Sequence, residues 1–133
     1  VLSVDVKRVN SSFHVFLNGG RIDTSLDALK WIEKGVLLGA GEVVVNSIDT
    51  DGVKNGFDEE LMYEVSKRVD VPLIASGGAG KKEDFVSLFK NNDRVDAALA
   101  ASIFHKKEVN LRDLKETLRQ NNINVRITNY DRI

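Results

Sequence analysis

Residues 71–82, VPLIASGGAGKK, constrain this chain more than any other stretch: an apolar run passes through Ser76-Gly77-Gly78-Ala79-Gly80 directly into a helical pattern. Leu73, Ile74 and Ala75 suit a strand covered on both faces. The glycines strip Cβ atoms from the turn, so successive N–H groups can approach an anion, and the helix that follows adds its positive end. On the residues alone the same turn serves equally well as a tight connection. A nucleotide P-loop is excluded, because Lys82 stands where Ser or Thr would hold magnesium and Ala75 stands where the first glycine belongs.

The flanking sequence alternates. Residues 1–6, VLSVDV, predict a buried strand with Asp5 near its C-terminal end. Residues 9–22 contain FHVFL and Asn18-Gly19-Gly20 and predict a strand-like excursion or hairpin that carries His14. Leu26, Leu29, Ile32 and Glu33, with Trp31 beside them, begin a helical pattern that stops at Gly39-Ala40-Gly41. Residues 42–48, EVVVNSI, form the next strand and open into the acidic loop DTDGVKNG. Asp58 is placed to cap a helix whose buried face is Leu61, Met62 and Val65. After the glycine turn come a helix with Phe85, Leu88 and Phe89 on one side, then a fourth strand at residues 95–101. The last helix begins at the cap Asn110 and presents Leu111, Leu114 and Leu118. Residues 123–133 form a tail without a legible function.

Four strands, each followed by a helix, imply a parallel sheet with right-handed crossovers. A doubly wound sheet usually carries its phosphate glycines after the first strand, whereas here they follow the third. A (β/α)₈ barrel carries a phosphate site after strands seven and eight, which would make these strands five to eight of a fold of ~250 residues. The chain has 133 residues and starts at Val1 without Met, which suggests a single unit, 1–133, cut from something longer. With no cysteine and two isolated histidines, His14 and His105, no metal site is expected. A net charge of -1 without a basic stripe argues against nucleic acid. No run reaches membrane-spanning length, and the cytoplasm is the default location.

The segments VDVKRV, GAGEVVVNSIDTDGVKNGFD, VPLIASGGAG and DAALAASIFH, in this order, resemble the cyclase subunits of imidazole glycerol phosphate synthase, the HisF family. The resemblance runs from Val1 to about Arg126 and covers that family's C-terminal half. It implies a (β/α)₄ half of a TIM barrel and a lyase of histidine biosynthesis. Such a lyase uses ammonia from a glutaminase partner, and no cofactor, to convert a phosphoribulosyl-formimino carboxamide ribotide into imidazole glycerol phosphate and an aminoimidazole carboxamide ribotide. For Asp5, which on the residues alone reads as a turn or cap acceptor, it implies the acid/base role. Asp51 and Gly52 then line the active site, Gly77, Gly78, Ala101 and Ser102 bind a phosphate, and Glu42 belongs to a charged ring around the ammonia channel. Asp49 and Asp58 keep loop hydrogen-bonding and capping roles. The other acid/base aspartate would lie in the missing half, so the expectation is a chain inactive alone that self-associates or pairs with an N-terminal half-barrel. Two other readings are a related formimino isomerase of the same barrel family and a non-catalytic, phosphate-binding half-barrel.

Overall fold

The computed structural model describes residues 1–128. The elements in order are β1 (Leu2–Val9), β2 (Ser12–Leu17), β3 (Ile22–Asp27), α1 (Ala28–Leu37), β4 (Val43–Ser47), α2 (Glu59–Ser66), β5 (Leu73–Ser76), α3 (Lys82–Asn91), β6 (Val95–Leu99), α4 (Ser102–His105) and α5 (Leu111–Gln120). They form a six-stranded sheet of order β3-β2-β1-β4-β5-β6. The β1, β4, β5 and β6 strands run parallel, and β2 and β3 add an antiparallel edge. These parallel strands are the four expected from the sequence. No described helix is long and apolar enough to cross a membrane.

Alternation within the strands decides where the core lies. Val4 and Val6 of β1, Val43 and Val45 of β4, Leu73 and Ala75 of β5 and Val95 of β6 are buried against Ile32, Leu61, Met62, Val65, Phe85, Leu88, Leu114 and Leu118 of the helices. Fully buried side chains such as Ile32, Leu61, Leu73 and Leu88 each contribute about 1.5–3 kcal/mol relative to exposure. The intervening positions, Ser3, Asp5, Val44, Asn46 and Ser76, point to the opposite face because the side-chain period of a strand is two. The helices therefore cover one face, and the other carries the polar groups.

The expected helix stops and caps are present. Asp58 accepts the Leu61 N–H at 3.0 Å, Asn110 accepts the Arg112 N–H at 2.8 Å, and Gly39 adopts a φ of 108° just beyond α1. Three expectations need correction. The first strand continues past Val6 to Val9, because the hairpin supplies β2 as a partner over Asp5 to Val9. Leu26, expected in the first helix, lies in β3, where Thr24 Oγ1 donates to the Val15 carbonyl at 2.6 Å; the helix starts only after Asp27, which accepts the Lys30 N–H. Leu111 is 49% exposed, so the buried face of α5 is Leu114 and Leu118. Within β6 the register with β5 shifts between Val95 and Ala97, and the Asp96 carboxylate accepts the Leu73 N–H at 3.0 Å. The expected tail over 123–133 is described as far as Thr128, with residues 129–133 outside the described residues.

Candidate active site

The C-terminal ends of the four parallel strands and the loops that leave them enclose a concavity of about 380 Å³. Parallel α/β sheets place ligands at this end because the loops there are free to vary while the strands hold them. Asp5, Asp51, Gly52, Gly77, Gly78, Ala101 and Ser102 all line it, joined by Asn46, Lys54 and Ala79. A larger cavity, about 730 Å³ between α3, β6 and α5, is bounded largely by apolar side chains and includes none of the expected site residues.

Asp5 projects from the face without helices, and its Oδ1 accepts Asn46 Nδ2 at 3.1 Å across the β1–β4 pair. That bond orients the carboxylate while leaving the second oxygen available among the described residues. Asp51 follows β4, tied back by its N–H to the Ser47 carbonyl at 3.0 Å. A Cβ on Gly77 would lie 3.4 Å from the Asp51 Cβ and 3.2 Å from Asn46 Oδ1, so the glycine turn, Asp51 and Asn46 are immediate neighbours.

The glycine turn is held from one side by the loop after β4. Thr50 Oγ1 donates to the Gly77 carbonyl at 3.0 Å and the Gly56 N–H donates to the Gly78 carbonyl at 2.9 Å. A trans peptide points its N–H opposite to its carbonyl, so the N–H groups of Gly78 and Ala79 face away from that loop. Among the described residues neither N–H has a protein acceptor. Gly77 and Gly78, with φ of 92° and 113°, create this geometry. Two successive N–H groups converging from such a turn form an anion nest. The next two, from Gly80 and Lys81, are already taken by Asp84 Oδ2 at 2.8 and 3.0 Å, which closes the start of α3.

Behind the loop lies an ion cluster. The Arg8 guanidinium makes a forked pair with both oxygens of Asp58, Nη2 to Oδ1 at 2.8 Å, and also reaches Glu60 at 2.9 Å. The Arg8 N–H donates to Asp49 at 2.8 Å, and Ser47 Oγ donates to Asp58 at 2.9 Å. Burial alone would raise the Asp58 carboxyl, but the hydrogen bonds from Arg8, Leu61 N–H and Ser47 hold it below the usual carboxylate range. Asp49 and Asp58 are thus the structural acceptors expected of them.

Residues 1–110 match the profile of a family described as histidine biosynthesis protein. The chain belongs to that family. The imidazole glycerol phosphate synthase subunit HisF of Hydrogenobaculum sp. (strain Y04AAS1) is 48% identical over 128 residues, which cover 96% of this chain and 50% of that protein. The subunit HisF of Clostridium beijerinckii (strain ATCC 51743 / NCIMB 8052) is 52% identical over 129 residues, 96% of this chain and 51% of that protein. The chain spans about half the length of the curated relatives it matches. In this member of the histidine biosynthesis family, Glu42 lies apart from the other expected residues. It is exposed at the entry to β4, at the opposite end of the strands, with its carbonyl accepting the Leu2 N–H at 2.9 Å. His14 pairs with Asp23 through Nδ1 at 3.0 Å, and His105 is exposed.

The sequence did not single out Ala79 and Lys54, which line the concavity, or Thr50, which holds its glycine turn. Thr50 and Gly56 are read as turn formers, and only the packing of their loop onto the glycine turn reveals the clamp. The one legible signal for Lys54 was its place two residues after the Asp51-Gly52 pair.

Proposed function

We propose that the chain is the C-terminal half-barrel of a HisF-type cyclase, (β/α)₄ in organisation, carrying one of two acid/base aspartates and one of two phosphate sites. The observation that carries this reading is the juxtaposition, in one concavity, of the Asp5 carboxylate with two unpaired N–H groups of a glycine turn. A phosphate seated on the turn that Gly77 and Gly78 create, at the N–H groups of Gly78 and Ala79, and completed by Ala101 and the Ser102 hydroxyl, would anchor a substrate whose reacting atoms extend toward Asp5. Ring closure to an imidazole and expulsion of an amine need positioned proton transfers. Asp5 supplies one such group, oriented by Asn46, and Asp51 with Gly52 lines the path between it and the anion.

The complementary half-barrel would supply the second aspartate and the second phosphate site. Glu42, at the far end of the strands, fits a charged entrance for ammonia from a glutaminase subunit, and the chemistry calls for no cofactor. An incomplete proton relay leaves this chain inactive by itself.

The test is ammonia-dependent consumption of the ribulosyl substrate by the chain alone and after co-refolding with the N-terminal half of a HisF subunit. Activity is expected only in the mixture, and Asp5→Asn should lower it by a factor of about 10²–10⁴, the contribution of a positioned acid/base. No turnover in a mixture shown to have assembled would sink the cyclase reading and leave a non-catalytic, phosphate-binding module.

A further inference from the structure

We infer that Lys54 is an exchangeable cation of the glycine-turn site, held by Glu108 while the site is empty and transferred to the phosphate of a bound ligand. The inference rests on the anion-site reading above and adds the group that balances its charge. Two carboxylates, Asp5 and Asp51, line the concavity, and Lys54 is the single cationic lining residue among the described residues. A phosphate placed on the Gly78 and Ala79 N–H groups would bring ≈ −1.5 to −2 charge into a site that is already negative. Only neutral donors, the turn N–H groups and the Ser102 hydroxyl, oppose that repulsion in the reading above, so a cation that can reach the ligand changes the balance.

Lys54 is built next to the turn. A Cβ on Gly80 would lie 2.3 Å from the Lys54 carbonyl oxygen and 2.8 Å from its Cβ, so the lysine stem leaves the backbone beside the glycine that immediately follows the nest. Lys54 also adopts a φ of 61°, a left-handed conformation uncommon for residues other than glycine. That backbone conformation fixes the direction in which the Lys54 side chain leaves the loop.

The present partner is easily exchanged. Lys54 Nζ lies 2.7 Å from Glu108 Oε1 and 2.8 Å from Oε2, bridging the loop after β4 to the turn between α4 and α5. The two side chains are 35% and 36% exposed, and such solvent-accessible pairs contribute little net stability. The ammonium holds the Glu108 carboxyl below its usual range, chiefly through this hydrogen bond. A lysine on a flexible four-carbon stem with three donors can leave a singly charged carboxylate for a more highly charged phosphate. Glu108 then acts as a competitor for the cation, and by linkage its removal must favour the ligand.

The test uses inorganic phosphate titrated into the 133-residue chain, with ¹H–¹⁵N NMR shifts of the Gly78 and Ala79 amides reporting occupancy of the site. Lys54→Met should weaken phosphate binding about three- to tenfold, the scale of a lost charge-assisted contact. Glu108→Gln should tighten it about two- to fivefold, the scale of an exposed competing pair. The double variant should behave as Lys54→Met. Both single variants remove the same bridge, so a purely structural role predicts changes of the same sign or none, and either result overturns the exchange. If phosphate leaves the Gly78 and Ala79 amides of the unaltered chain unmoved, the anion site itself is wrong, and the inference falls with it.

Discussion

Gly78 shows how little freedom single positions in this site have. Its φ of 113° lies outside the range comfortable for L-residues, and a Cβ there would stand 2.0 Å from the Gly56 carbonyl oxygen. Gly19 has a φ of 66° with no heavy atom within 4 Å of the same virtual Cβ. Gly78→Ala should therefore cost about 3 kcal/mol or more, backbone strain plus displacement of the loop after β4. Gly19→Ala should cost only about 1 kcal/mol, the strain alone. Urea unfolding midpoints of the two variants separate the effects, and equal losses would show that the clamp on the glycine turn does not constrain it. The turn was legible in the sequence because glycine spacing after an apolar run is a local signal. Its partners Thr50 and Gly56 were not, because nothing local to them says that their loop packs on residues distant in the chain.

At the scale of elements, the loop from Asp49 to Asp58 is fastened at both ends to one arginine of β1. Asp49 takes the Arg8 backbone N–H, and Asp58 takes the guanidinium while capping α2. The loop between them carries Asp51, Gly52 and Lys54 into the site. Asp58→Asn keeps the shape but removes the charge that pairs with Arg8. It should destabilise the fold by about 1–3 kcal/mol at neutral pH, since Arg8, one-third exposed and therefore partly screened, loses the buried carboxylate it pairs with. The Asp58 carboxyl is held below its unfolded value, so its stabilisation is present above an unfolded pKa of about 4 and is lost as pH falls through the folded value. The stability gap between the unaltered chain and Asp58→Asn should accordingly close on acidification below about pH 4. A gap that stays constant to pH 2 would mean that the charge of Asp58 is not what holds the loop. The cap itself was foreseen from the sequence; the arginine was not, because Arg8 and Asp58 are brought together only by the β1–β4 pairing.

For the whole molecule, the one-sided arrangement of helices is the decisive feature. One sheet face is packed, and the other presents Asp5, Asn46 and Ser76 beside Val44 and a Leu99 that is 48% exposed. The β1 edge is partly covered, since β2 pairs with Asp5 to Val9 and leaves Leu2 to Val4 without a ladder on that side, and β6 forms the opposite edge of the sheet. Unpaired strand edges and a partly apolar open face favour association. Sedimentation should show concentration-dependent self-association of the chain, replaced by a 1:1 complex when an N-terminal half-barrel is added. A monomer at every concentration, unchanged by the added half, would remove the half-barrel proposal. A strand excursion or hairpin at this edge was legible in FHVFL and the Asn18-Gly19-Gly20 turn. That β3 would extend through Leu26 did not, because the segment IDTSLD lacks the alternation of a half-buried strand and is held to β2 by the Thr24 and Asp23 side chains.

By itself the sequence determined the order of the four parallel strands and their crossover helices, the glycine turn, the caps at Asp58 and Asn110 and the family to which the chain belongs, since each is written in neighbouring residues or in motifs kept in order. Only the tertiary structure decided which groups face one another. It set Asn46 on Asp5, Thr50 and Gly56 on the carbonyls of the glycine turn, Arg8 between Asp49 and Asp58, and Lys54 on Glu108. These contacts depend on the register of parallel strands whose crossovers separate the partners in sequence, and a register fixed by packing on one face leaves no trace in the residues that meet on the other.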